Sequence, residues 1–180
     1  MPTSPTRTTP YRKNFPLFGG DACDFVSKSS AEIVLGGSGI ATLGSKSDLQ
    51  GSRNADGSKL NLASCKLSVE GGKELSISVK PIGIPPYEER EIPAALKAGG
   101  ADFVFPASEG QGVAKKGGQG QDAATAQLIR GDWYYFVDLT KPTEGRNAVD
   151  DCVAVLRQVV NQLSLPRSEH LPRPSTSPSA

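Results

Sequence analysis

Histidine is all but missing from this 180-residue chain, and the single residue, His170, lies in a Pro/Ser-rich stretch. A Ser–His or Cys–His nucleophile therefore has no evident base to activate it. Cysteine is scarce too: Cys23, Cys65 and Cys152 lack the close paired spacing of zinc ligands, so a structural zinc site is not expected. No apolar run approaches the roughly 20 residues that cross a bilayer, so no transmembrane segment is expected. Charge of one sign is lacking as well. Twenty Lys+Arg against 19 Asp+Glu leave a net charge of +1, with no basic cluster to attract nucleic acid.

The residues that are present, 37% of them hydrophobic, suit one soluble domain with polar flanks. Residues 1–19 are rich in Pro, Thr and Ser and cannot bury enough apolar surface to offset ordering entropy. They read as a disordered tether, and 165–180 read as a disordered tail. Residues 20–164 are the expected domain. The tether has no apolar core of a signal peptide, and it suits a chain whose export signal or anchor has been removed upstream.

Between the tails the pattern alternates between helix and sheet. Ser29–Leu35 reads as a helix capped by Ser27 or Ser29 and stopped by Gly36-Gly37. Residues 38–60, rich in Gly, Ser, Asp and Asn, read as a long mobile loop. Ser64–Val69 and Glu74–Lys80 read as a hairpin, with Leu75, Ile77 and Val79 on its buried side. A helix is expected over Glu88–Ala98, then a short strand at 101–105 and a flexible glycine-rich connection at 110–120. Ala124–Arg130 and Trp133–Leu139 form a second hairpin about Gly131-Asp132. Its second strand carries aromatics on both faces and belongs in the middle of a sheet. Val149, Cys152, Val153, Leu156, Val159, Val160 and Leu163 mark a final amphipathic helix, with Asn147 as its cap and Asp150, Asp151, Arg157 and Gln158 off or at the edge of the stripe. The fold class that follows is α+β, an antiparallel sheet with helices packed on it.

The motifs that suggest chemistry each have a plainer reading. Gly39–Ser47 resembles a phosphate loop, but Ser45 separates Gly44 from Lys46 and neither a preceding strand nor a following helix frames it. The glycines from 110 to 120 do not spell a dinucleotide fingerprint. Arg130-Gly131-Asp132 matches an adhesion tripeptide and is also ordinary turn chemistry. No catalytic residue, cofactor or metal site is expected. Tyr87, Phe103, Phe105, Trp133, Tyr134, Tyr135 and Phe136 are the candidate ligand or partner surface, although aromatics at strand spacing are more often core. Cys23 and Cys65 border predicted elements near polar loops and are paired as a disulfide, leaving Cys152 as a buried thiol. Three reduced cysteines in a cytosolic protein is the alternative.

The order of landmarks resembles a known family. Cys23-Asp24-Phe25-Val26 leads into Ser30-Ala31-Glu32-Ile33-Val34-Leu35-Gly36. Ser64-Cys65-Lys66-Leu67, Gly110-Gln111-Gly112-Val113-Ala114, Arg130-Gly131-Asp132-Trp133 and a last amphipathic helix then follow. This succession, over about residues 21–163, is similar to the actinobacterial envelope lipoproteins grouped as domain of unknown function three-five-five-eight. The resemblance implies an extracytoplasmic, lipid-anchored or secreted domain with a paired cysteine between the first helix and first strand. Lys66-Leu67 departs from the aromatic often found after the second cysteine, and no lipid-accepting cysteine opens the chain. The expected function is a non-catalytic envelope module binding a protein, lipid or glycan partner. An enzyme with an unrecognised Ser–Lys or carboxylate site, or an accessory structural subunit of an envelope complex, is the alternative.

Overall fold

A computed structural model describes residues 26–53, 59–82, 91–117 and 123–163, with the backbone alone at 44–53, 59–63, 81 and 91. The expected tails, and Cys23 and Tyr87, lie outside the described residues.

The fold is α+β: one seven-stranded sheet and three helices. The first helix, α1 (Lys28–Leu35), begins where the Ser27 hydroxyl accepts the Ser30 N–H at 3.1 Å, and ends at Gly36, left-handed at φ 66°. Both stops are those its sequence predicts. Strands β1 (Ala41–Arg53), β2 (Lys59–Val69) and β3 (Lys73–Pro81) follow as a meander. Helix α2 (Glu91–Ala98) leads to a second meander of β4 (Phe103–Val104), β5 (Gln111–Lys116), β6 (Ala123–Arg130) and β7 (Trp133–Thr140). The chain closes with α3 (Ala148–Leu163), whose first N–H groups donate to the Asn147 side chain at 3.1 and 3.4 Å. Sheet order is β1-β2-β3-β7-β6-β5-β4, every neighbour antiparallel. The doubly aromatic strand β7 is the middle one, as its two-sided pattern implies.

Two expectations fail, for different reasons. Residues 38–60 are not a loop. Most form β1 and the start of β2, paired from Ala41↔Ser68 to Arg53↔Lys59. Cross-strand pairing to a neighbour holds this segment in the sheet, which its small polar composition does not announce. The glycine-rich run 110–120 is not simply a flexible connection either, because Gln111–Lys116 is β5. There the glycines make room. A Cβ on Gly112 would stand 2.4 Å from the Gln127 carbonyl oxygen, 2.8 Å from Leu128 Cδ1 and 2.9 Å from Phe105 Cδ2.

The sheet has two unlike faces. One carries α1 and α3, and its core joins Leu75, Ile77 and Val79 of β3, Tyr135, Val137 and Leu139 of β7, and Val34, Leu35, Cys152 and Leu156 of the helices. Asp151 and Gln158, expected off the apolar stripe, are nevertheless buried. Arg146 holds the Asp151 carboxylate with two N–H groups, one at 2.8 Å, and Gln158 donates to Ser27 at 3.2 Å. Partners for the Asp151 carboxylate and the Gln158 amide N–H offset part of the cost of that burial, while the Gln158 Oε1 has none among the described residues. Among the described residues the opposite face is covered at one end by α2, where Ile92 packs with Val113 and Tyr134.

Candidate functional site

Strand alternation sorts the aromatic candidates onto different faces. Phe105 and Tyr135 lie in the core beneath the helices, with Phe103 and Trp133 packed against it. Phe103 and Phe105 meet edge-to-face at 5.1 Å, and the Arg157 guanidinium lies 5.5 and 5.8 Å from their ring centres. Arg157 is itself held by Glu109 through bonds of 2.8 and 2.6 Å, which fastens the 106–110 turn to α3. These four aromatics serve packing. Tyr134 and Phe136 point to the opposite face and stack 6.4 Å apart, with Lys80 5.1 Å from the Tyr134 ring centre.

Beside that pair, the opposite face turns polar. Backbone register lines up Lys66, Ser76, Asp138, Thr125 and Lys115 as one rung across five strands. The rung on one side holds Ser68, Glu74 and Thr140, and the rung on the other holds Ser64, Ser78, Phe136 and Gln127. Cross-strand neighbours stand about 5 Å apart at Cβ, so these side chains form one contiguous patch. Lys66 pairs with Glu74 at 2.8 Å, and Ser76 donates to the same carboxylate at 3.2 Å.

The centre of the patch is under-satisfied. Asp138 is 8% exposed and Thr125 6%. Among the described residues Asp138 accepts one long bond, from Thr140 at 3.4 Å, and the Thr125 hydroxyl has no partner. Burial pushes the Asp138 carboxyl above its ordinary range; the Thr140 bond opposes this and the Glu74 charge adds to it. A buried polar group with unused hydrogen-bonding capacity costs stability, roughly 1–3 kcal/mol. Such groups in a native fold call for an explanation.

Sequence reasoning did not single out Asp138, Thr125, Ser76 or Glu74. One signal was available. Strand β7 is aromatic on this face through Tyr134 and Phe136 and then switches to Asp138 and Thr140, in mid-sheet. Elsewhere, Cys152 is a free, buried thiol donating to the Ala124 carbonyl at 3.3 Å, and burial pushes its pKa far up, with help from the Asp138 and Asp151 charges. A thiol so raised is an inert core residue. Among the described residues no three His, Cys, Asp or Glu side chains are grouped to hold a metal, and no helix is long and apolar enough to cross a membrane.

No family model, no curated protein and no solved structure matches this chain. The reading of function rests on the site.

Proposed function

We propose that this chain is a non-catalytic binding domain of the cell envelope, which engages a protein, lipid or glycan partner through the polar rung centred on Asp138. One observation carries the reading: Asp138 and Thr125 are buried on a sheet face with hydrogen-bonding capacity left unused, among the described residues. Folds keep such locally unfavourable groups chiefly where function requires them. Phe136 and Ser78, on the adjoining rung, add an apolar ring and a hydroxyl to the surface a partner would meet.

The enzyme alternative fits the geometry less well. A Ser–Lys dyad needs the amine free to take the serine proton. Here Lys66 is committed to Glu74, and Ser76 donates to that carboxylate. The envelope assignment keeps its basis in the order of landmarks shared with the actinobacterial lipoproteins and in a Cys23–Cys65 bridge. One finding supports that bridge: Cys152 is a free, buried thiol, which leaves Cys65 as the candidate to pair with Cys23.

Backbone amide NMR shifts, recorded while the chain is titrated with peptidoglycan fragments, with lipid vesicles and with envelope protein extracts, test the binding reading. Shifts centred on residues 74–78, 125–127 and 136–140 are expected with one class. Shifts confined to α1 and α3, or none with any class, would favour an accessory structural subunit. Peptide mapping without reductant is expected to show one free thiol, Cys152. Three free thiols would remove the oxidising compartment.

A further inference from the structure

Asp138 lies on the fourth of seven strands, and the groups around it define its electrostatics. On β3, Glu74 stands one rung away and raises the cost of a second negative charge. On β2, Lys66 is bound to Glu74, and on β5, Lys115 ends the rung that Asp138 occupies. On β6, only the neutral Thr125 and Gln127 face it. Through the sheet lie Cys152 and Asp151 of α3, whose interaction with the Asp138 charge is felt at the Cys152 thiol. Lys66 and Lys115 therefore face Glu74 and Asp138 across this patch, and Lys80 of β3 lies two rungs along the same face, beside Tyr134.

We propose that Asp138 makes this face of the sheet proton-dependent, one unit more positive once its carboxyl takes up a proton. Geometry makes Asp138 the site of uptake. It is the more buried of the two carboxylates, it has one long hydrogen bond, and it has no ion-pair partner among the described residues. Thr125 stands directly across the strand pair with its hydroxyl unpartnered. Protonation removes a buried charge from the rung. A face that gains positive charge as the surroundings acidify holds an anionic partner more firmly at low pH. The inference does not depend on the envelope reading.

The sign of the linkage is fixed. A carboxyl raised in the folded state contributes stability that is complete below its unfolded value, 3.8, and is lost as pH rises through the folded midpoint. Carboxyl carbon NMR on the full chain, with thermal melts of wild type and Asp138→Asn from pH 3 to 8, tests it. The Asp138 resonance is expected to titrate above 3.8. Asp138→Asn should melt higher than wild type at pH 7, the gap closing toward pH 3. A midpoint at or below 3.8, or a gap independent of pH, would overturn the proposal. If the variant does not fold, the wild-type resonance alone decides.

Discussion

The two faces of the sheet are built on opposite terms. Under α1 and α3, aliphatic side chains from both layers meet, and of the polar groups that intrude, Asp151 is held by Arg146 while Gln158 is bonded through its amide N–H alone. On the other face, among the described residues, α2 covers one end, and beyond Phe136 Glu74 is paired while Asp138 keeps one long bond and Thr125 none. The first face is where the fold gains its stability. The second gives some of it up at Asp138 and Thr125, and the proposed binding function is placed there for that reason.

Truncating the helix-covered face should have the largest effect. Leu156→Ala removes a fully buried side chain between α3 and the sheet and is expected to cost about 2–5 kcal/mol, read by denaturant unfolding. A change confined to the edge of the same core comes next. Gly112→Ala forces a Cβ against the Gln127 carbonyl and Phe105, at roughly 1–3 kcal/mol, and amide exchange in β5 should quicken with it. On the polar face the direction reverses. Thr125→Val replaces an unpartnered hydroxyl by a methyl of the same shape and is expected to stabilise by up to about 1 kcal/mol. A loss like that of Leu156→Ala would erase the contrast between the faces.

The smallest effect concerns the Glu109–Arg157 clamp. The hydrogen bond from Arg157 holds the Glu109 carboxyl below its usual range, against burial and helped by the Arg157 and Arg130 charges. Its contribution is therefore present above 4.5 and is lost as pH falls through the folded midpoint. With the pair 43% and 28% exposed, Glu109→Gln should cost well under 1 kcal/mol at pH 7 and nothing in strong acid. Urea titrations at two pH values measure it.

Much of the fold was legible where hydrophobic period and turn chemistry agree. The caps of α1 and α3, the hairpins about Gly71-Gly72 and Gly131-Asp132, and the central place of β7 all follow from local pattern. Strands β1 and β5 were not legible, because each is set by its neighbour in the sheet. Ser45, Lys46 and Ser47 look like loop until β2 pairs with them, and Gly112 looks flexible until Phe105 lies across it. The candidate site was hidden for the same reason. Ser76, Asp138 and Thr125 come from three strands up to 62 residues apart, and only register brings them onto one rung.

The account stands or falls on whether the polar rung detracts from stability. A thermal melt of the Thr125→Val, Asp138→Asn double variant at pH 7 reads this directly. A melting temperature above that of the wild type is the predicted result. A lower one would mean that these residues hold the sheet together, and would contradict the assignment of function to this face.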